Sequence, residues 1–250
     1  MSAVSELSHH ILTTILDALE LHELHGADGG PALLLPLTVP DQPPARLRLW
    51  GGQAIGRLVS IEIEAPALAL SAHILGAFAA PGSPLPHLFV DLVAARGSQS
   101  VAFDLLPRVD LAASVEWMDA VLTPLSAAQQ ELAEIEGARA LPLNHRLRAF
   151  LSPWSAALEC GEAALAGPLR RVIEAYVDHW LRLVGGALPE AADLEHSPAL
   201  LGARDHRYRA HLFSADVDPV WRRIAGLVGD AGASQLQAAL RGEAISAAAH

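Results

Sequence analysis

Two aspartates, Asp91 and Asp104, lie inside apolar runs of the segment 86–108, PHLFVDLVAARGSQSVAFDLLPR. A carboxyl group in such surroundings costs several kcal/mol of desolvation unless it is paired or protonated. An acid that burial keeps protonated can donate a proton to a bound ligand. The alternative is a core carboxylate whose oxygens are satisfied by backbone or hydroxyl donors. We favour proton chemistry for Asp91, and the structural alternative for Asp104, which lies closer to a strand end.

The same segment predicts a β-hairpin, because its two apolar runs are bounded by Pro on one side and separated by Gly-Ser. If Arg96 and Gly97 form a two-residue loop, Asp91 lies opposite Ala102, and Asp104 lies diagonally across on the same face. A loop of odd length would instead turn Asp104 to the other face, since a shift of one residue reverses every side chain.

The rest of the chain predicts the elements that must position this hairpin. The order is a helix, five or six strands, two helices, one more strand and further helices, and the short connections between the strands favour an antiparallel meander. We therefore expect an α/β protein in the α+β sense: a three-layer α/β/α sandwich with one central antiparallel sheet, forming a single domain over residues 1–250. The predicted helices are 6–24, 115–122, 127–136, 168–184, 189–203, 219–228 (with Asp218 as its N-cap) and 234–240, and the predicted strands are 32–37, 46–50, 58–64, 68–75, the hairpin and 154–160.

Composition narrows the possible functions. The net charge of −11 argues against a nucleic-acid partner. The single cysteine, Cys160, excludes an internal disulfide and a multi-cysteine metal or iron–sulfur site. Dinucleotide-binding, P-loop, nucleophile-elbow and HExxH motifs are absent, so any redox chemistry must obtain its electrons from elsewhere. No signal or transit peptide precedes the first helix, and the least polar window, 65–80, is too short to span a bilayer, so we expect a cytoplasmic protein.

Other titratable groups are candidates of lower specificity. His22 and His25 stand beside glutamates, but at the end of a helix this spacing is more typical of a solvated face than of a metal site. His73 lies in the apolar strand ALSAHILGAF, where a neutral imidazole satisfied by one hydrogen bond is the ordinary alternative to a catalytic group. The segment 204–209, RDHRYR, is either solvated surface or a site that binds carboxylates and holds Asp205.

Taken together, these segments resemble the red chlorophyll catabolite reductases, which belong to the family of ferredoxin-dependent bilin reductases. The hairpin pattern Phe89-Val90-Asp91-Leu92-Val93, then Gly97, then residues 104–108 (DLLPR), is similar to the hairpin motif of that family. Residues 150–153 (FLSP) resemble its F-S-P segment, and residues 204–206 (RDH) resemble its C-terminal R-D-P segment. The resemblance covers roughly residues 66–240.

The resemblance implies a fold, a reaction and a set of site residues. It implies that Asp91 protonates a bound open-chain tetrapyrrole, that Asp205 is a second acid of the pocket, and that His73 lies near a proton-donating histidine of some members. It implies no permanently bound cofactor and no metal, because reduced ferredoxin supplies single electrons in this family. The expected substrate-binding residues are Phe89, Arg108, Arg204, His206 and Arg207, the arginines being candidates for pairing with propionate groups.

The sequence thus predicts an oxidoreductase that reduces a CH–CH group of red chlorophyll catabolite or of a bilin such as biliverdin, with ferredoxin as the electron donor. The alternative from another class is a non-catalytic carrier or interaction protein that binds a tetrapyrrole on the same fold. The resemblance to the plant enzymes also suggests a homodimer. For a ferredoxin partner, which is acidic, the acidic chain needs a local basic face. The candidates for it are Arg146 with Arg148, Arg170 with Arg171, and Arg222 with Arg223.

Overall fold

The structure is a computed structural model that describes residues 2–188 and 197–245. Within these residues the chain forms a nine-stranded antiparallel sheet in the order β1-β3-β4-β5-β6-β7-β9-β8, and β2 shares the outer edge of β3 with β1. The strands are β1 (Leu21–Leu24), β2 (Leu33–Leu35), β3 (Ala45–Gly52), β4 (Arg57–Ala65), β5 (Leu70–Phe78), β6 (His87–Ala95), β7 (Ser98–Leu106), β8 (Arg139–Ala140) and β9 (Ala156–Cys160).

Eight α-helices are described, and they pack on both faces of the sheet. They are α1 (Ala3–Ala18), α2 (Val115–Val121), α3 (Ser126–Glu131), α4 (His145–Arg148), α5 (Glu162–Ala164), α6 (Arg170–Arg182), α7 (Pro198–Leu212) and α8 (Val220–Arg241). Helices α1, α2 and α6 cover one face, and α8 with the end of α7 covers the other, so that each face has its own apolar core. The predicted α/β/α sandwich is confirmed.

The hairpin follows the prediction for an even loop. Arg96 and Gly97 both have positive φ, 52° and 83°, which is the geometry of the two-residue turn that suits the twist of a hairpin. Ala95 pairs with Ser98, and Asp91 pairs with Ala102 on one side and Ile74 on the other. Asp91 and Asp104 therefore share the face of the sheet that α8 covers.

Two helix predictions need correction. The predicted helix 6–24 ends at Ala18, and residues 21–24 form the edge strand β1 against the end of β3. Gly52 permits this pairing, since a Cβ there would lie 2.7 Å from the carbonyl oxygen of Glu20. The predicted helix 189–203 falls partly outside the described residues, and the described helix α7 runs from Pro198 to Leu212. The two predicted C-terminal helices, 219–228 and 234–240, are confirmed as separate helical segments: the range labelled α8 is broken at Gly229, where φ is 75°.

No helix in the described part of the chain is both long enough and apolar enough to cross a membrane.

Candidate functional site

The Asp91 side chain lies at the middle of β6, in the centre of the sheet, on the face under α8. Among the described residues, none donates a hydrogen bond to its carboxyl group, in contrast to what the structural alternative requires. Burial raises the pKa of Asp91 to about 7, and the negative charge of Asp218 adds to the shift. Near neutral pH this acid therefore holds a proton that it can release.

Two apolar cavities meet at Asp91. The β7-side cavity has a volume of about 70 Å³ and the β4-side cavity about 320 Å³, and both are lined by Ile74, Asp91 and Val220. A ligand that filled both would pass directly over the Asp91 carboxyl group. The remaining apolar side chains of the β7-side cavity include Phe89, Leu147, Leu151, Phe213 and Trp221, and those of the β4-side cavity include Ile61, Ile63, Val93, Ile224 and Leu227.

Asp218 is a second acid of the β7-side cavity. It accepts a hydrogen bond of 3.0 Å from the backbone N–H of Val220, at the start of α8, which fits its predicted capping role although Pro219 holds the N-cap position itself. Burial raises the pKa of Asp218. No sequence pattern indicated a site function for Asp218, because an aspartate before a helix is an ordinary cap.

Asp104 also lines the β7-side cavity, but its carboxylate is satisfied. The backbone N–H of Ser152 donates to Oδ2 at 2.7 Å, and the Ser152 hydroxyl donates to Oδ1 at 2.5 Å. Burial raises the pKa of Asp104 to about 6, although the two hydrogen bonds from Ser152 oppose the shift. This geometry is that of a structural carboxylate that joins β7 to the segment before β9.

We expect Ser152→Ala to destabilise the protein more at pH 8 than at pH 5. The variant loses one donor to the carboxylate, a loss of about 1–3 kcal/mol when the partner is buried. Because the folded-state pKa of Asp104 then rises further above its unfolded value, more stability is lost once the pH exceeds that folded value. Urea unfolding at the two pH values measures the difference, and an equal loss at both would contradict the role of Ser152.

Asp205 does not reach either cavity. It lies on α7 in a buried cluster, where its Oδ1 is 2.6 Å from Nε2 of His87 and its Oδ2 is 3.5 Å from Arg108 and 3.6 Å from Arg209. Nδ1 of His87 accepts a hydrogen bond of 3.0 Å from the backbone N–H of Ala79, so the ring proton is on Nε2 and is donated to Asp205.

The charges of this cluster keep Asp205 ionised. Although burial opposes it, the hydrogen bond from His87 and the two guanidinium groups hold the pKa of Asp205 below its usual value. Burial lowers the pKa of His87 to about 4, so this histidine is neutral. The predicted second acid of the pocket is thus a fixed counter-ion rather than a free proton donor. His87 and Arg209 were not selected from the sequence as partners of Asp205. His87 could have been found because it alternates with Phe89 and Asp91 on one strand face, and Arg209 because it lies four residues after Asp205 on one helix face.

His73 lies on the opposite face of the sheet from Asp91, because neighbouring residues of a strand alternate and Ile74 is the residue that pairs with Asp91. It is buried, its Nε2 is 2.9 Å from Glu64, and its ring is 6.2 Å from that of His9 in α1. Burial lowers its pKa. The expected participation of His73 in the same pocket as Asp91 does not fit this position.

Of the five predicted substrate-binding residues, Phe89 lines the β7-side cavity and the other four do not. Arg108 is buried in the Asp205 cluster and also donates to the carbonyl oxygens of Ala80 and Ser83. Arg204 donates to the carbonyl oxygen of Val109 at 2.9 Å. His206 and Arg207 are exposed on α7, whose buried face carries Asp205 and Arg209. Among the described residues, Arg223 is the arginine that lines one of the two cavities at Asp91, on the β4 side.

Within residues 2–188 and 197–245, no group of three or more His, Cys, Asp or Glu side chains is arranged to hold a metal ion.

The fold is similar to that of a known structure, although the sequence is not close to it. The crystal structure of phytochromobilin synthase from tomato in complex with biliverdin matches with a TM-score of 0.73 and 17% sequence identity, over 95% of this chain and 82% of that one. No family model matches the sequence, and no curated protein matches it. At this identity the likeness establishes the fold alone, a central antiparallel sheet with helices on both faces.

Proposed function

We propose that this protein reduces a double bond of a linear tetrapyrrole, with electrons from reduced ferredoxin and with Asp91 as the principal proton donor. The observation that carries the proposal is the Asp91 carboxyl group, which has no hydrogen-bond donor among the described residues, a pKa of about 7, and a position where two apolar cavities meet. Two facts about the chain support it: its fold is similar to that of a biliverdin complex, and its hairpin resembles the ferredoxin-dependent bilin reductases.

The reaction balances without a cofactor on the protein. Two reduced ferredoxins each give up one electron, and two protons complete the addition of two hydrogen atoms across one double bond. We assign the first proton to Asp91. We assign the second to Asp218, in preference to Asp205 or His73, because Asp218 lines the same cavity and burial raises its pKa. Both acids would be reprotonated from solvent.

The cavities suit a flat, conjugated and largely apolar ligand. The aromatic rings of Phe89, Phe213 and Trp221 line the β7 side, where they would contact the faces or edges of pyrrole rings. Arg223 is the candidate for pairing with a propionate group on the β4 side. Among the substrates expected from the sequence, we place biliverdin before red chlorophyll catabolite, because a biliverdin complex is the structural relative. The homodimer and the cytoplasmic location stay predictions.

The experiment is a substrate panel followed by absorbance. Purified protein receives biliverdin or red chlorophyll catabolite, a plant-type ferredoxin and a ferredoxin reductase with NADPH, in the absence of oxygen. We expect one of the substrates to lose or shift its long-wavelength band and to give a product two mass units heavier. Tight binding of both pigments without any spectral change under reducing conditions would exclude turnover.

A non-catalytic tetrapyrrole carrier is the second candidate. It is favoured by one observation, namely that the second acid expected from the sequence, Asp205, is held as a counter-ion outside the cavities. Asp91→Asn separates the two candidates, because a carrier would keep the affinity and spectrum of its ligand while an enzyme would lose its turnover.

A further inference from the structure

We infer that four arginines beside the two cavities form the docking surface for a small acidic one-electron carrier protein. The arginine rim consists of Arg146 and Arg148 on α4 and of Arg222 and Arg223 in the first turn of α8. This inference rests on the proposed function, since it names the surface through which electrons would enter that site. Arg170 and Arg171, the third arginine pair considered from the sequence, are not part of the rim, because they lie on α6 at the other face of the sheet.

The two helices of the rim are held together by polar contacts. Asn144, the N-cap of α4, donates through Nδ2 to the carbonyl oxygen of Val217 at 2.9 Å. Arg146 donates to the carbonyl oxygen of Asp216 at 3.3 Å. Helix α4 is therefore fixed against the loop that leads into α8, and the four arginines belong to one region of the surface.

This region lies directly beside the cavities. Leu147, between the two arginines of α4, lines the β7-side cavity, and so do Val220 and Trp221, which precede Arg222. Arg223 itself lines the β4-side cavity. A pigment bound over Asp91 would thus be separated from a protein docked on the rim by little more than one layer of side chains. Transfer of single electrons requires such a short path between donor and acceptor.

The charge of the rim contrasts with that of the chain. All four arginines are exposed, and none forms an ion pair with another described residue. The same is true of the exposed Arg96, Arg171 and Arg207, so what distinguishes the rim is that its four arginines lie on two helices in contact beside the cavities. The acids closest in sequence are Asp216, which is exposed, and Asp218, which lines the cavity and whose negative charge is partly offset by Arg223. In a protein of net charge −11, a local basic surface attracts an acidic partner to one place, and three of its arginines stay available when Arg223 pairs with a propionate group of the pigment.

The position of Arg222 and Arg223 is unfavourable for the helix that carries them. The first turn of α8 contains no acidic residue, although the helix dipole favours acidic side chains there and disfavours basic ones. Helix stability therefore does not account for two arginines at this end of α8. Their positive charge is better accounted for by binding of an acidic partner. Weak, charge-driven and short-lived complexes are typical of electron-transfer partners.

The test is a charge reversal with a matched control. Arg148→Glu/Arg222→Glu changes two rim residues that make no hydrogen bond to another described residue through their side chains, and Arg171→Glu/Arg182→Glu makes the same change in net charge on α6. Oxidised plant-type ferredoxin is titrated onto each biliverdin-loaded protein by calorimetry or NMR, which requires no turnover. We expect the rim variant to weaken binding at least about tenfold at low ionic strength and the control variant about twofold or less, with the difference disappearing in high salt.

Further measurements separate this inference from the proposed function. Affinity for biliverdin should be the same in both variants and the wild type, and thermal stability of the rim variant should be equal to or higher than that of the control, because Arg222→Glu suits the helix dipole. If the wild type binds oxidised ferredoxin but its pigment stays unreduced when the ferredoxin is supplied in the reduced form, the proposed function is overturned and the docking surface is left intact. Equal weakening by both variants, or no weakening by the rim variant, would overturn the docking surface.

Discussion

Replacing Asp91 with asparagine is expected to lower the rate of tetrapyrrole reduction by about 10²-fold or more, the usual contribution of a general acid. Asparagine has almost the same shape, so the two cavities that meet at this position keep their form. What is lost is a proton held at a pKa of about 7. Without it, one-electron reduction of the bound pigment should stop at a radical that receives no proton, which makes the variant suitable for detecting that species.

The measurement is single-turnover absorbance with chemically reduced ferredoxin, together with electron paramagnetic resonance of the frozen mixture. Pigment affinity, followed by the same absorbance band, should change by no more than a few fold. Asp178→Asn on the exposed side of α6 is the matched control and should reduce pigment at the wild-type rate. Full activity of Asp91→Asn would remove the acid on which the proposed function depends.

The same variant has a second expected effect, on stability, which shows that it is folded. In the wild type the folded-state pKa of Asp91 lies above its unfolded value of 3.8, so stability declines as the pH rises from about 4 to about 7. Above pH 7 the cost of the buried charge is fully present, about 4 kcal/mol at most. Asp91→Asn should therefore be more stable than the wild type at pH 8, and this difference should shrink towards pH 4. If the difference in the free energy of unfolding between variant and wild type did not change with pH, the pKa of Asp91 would not be raised by folding.

The pairing of the hairpin was predictable because local rules determine it. Glycine at position 97 permits the two-residue turn, the turn sets the register, and the register sets which side chains share a face. From these facts alone Asp91 and Asp104 belong to the same face. The hydrogen bonds from Ser152 to Asp104 could not be predicted in this way, because the two residues are 48 positions apart and meet only through tertiary packing.

The errors in the candidate site have the same origin. The family resemblance placed His73 and Asp91 in one pocket. In the structure Ile74 pairs with Asp91, so His73 lies on the opposite face of the sheet, under α1. Asp205 stood in a segment with three arginines, and its partners could not be chosen without knowing the rotation of α7, which turns Asp205 and Arg209 inward and Arg207 outward. The end of α1 was misplaced because residues 21–24 satisfy a helical pattern as well as a strand until β3 is present to pair with them.

Loss of Asp205 should destabilise the fold strongly. Its carboxylate faces the guanidinium groups of Arg108 and Arg209 and accepts a hydrogen bond from Nε2 of His87, and all four side chains are buried. Asp205→Asn would leave two positive charges in the interior without a counter-ion. Removing one partner of such a group costs about 3–5 kcal/mol, so we expect a loss of that size in urea unfolding at pH 7, with Asp178→Asn changing stability by no more than about 0.5 kcal/mol.

The consequence for activity follows from what the cluster holds together. Arg209 donates through Nε and one terminal nitrogen to the carbonyl oxygen of Leu240 at the end of α8, and His87 opens β6, the strand of Asp91. Loss of Asp205 should therefore loosen the helices over the cavities and weaken pigment binding, and lower temperature should restore part of the activity because a larger fraction of the protein is then folded. A proton donor would behave differently. If Asp205→Asn kept its stability and pigment affinity but lost reduction, Asp205 would be an acid of the reaction, and the structural role argued from its two arginines would be wrong.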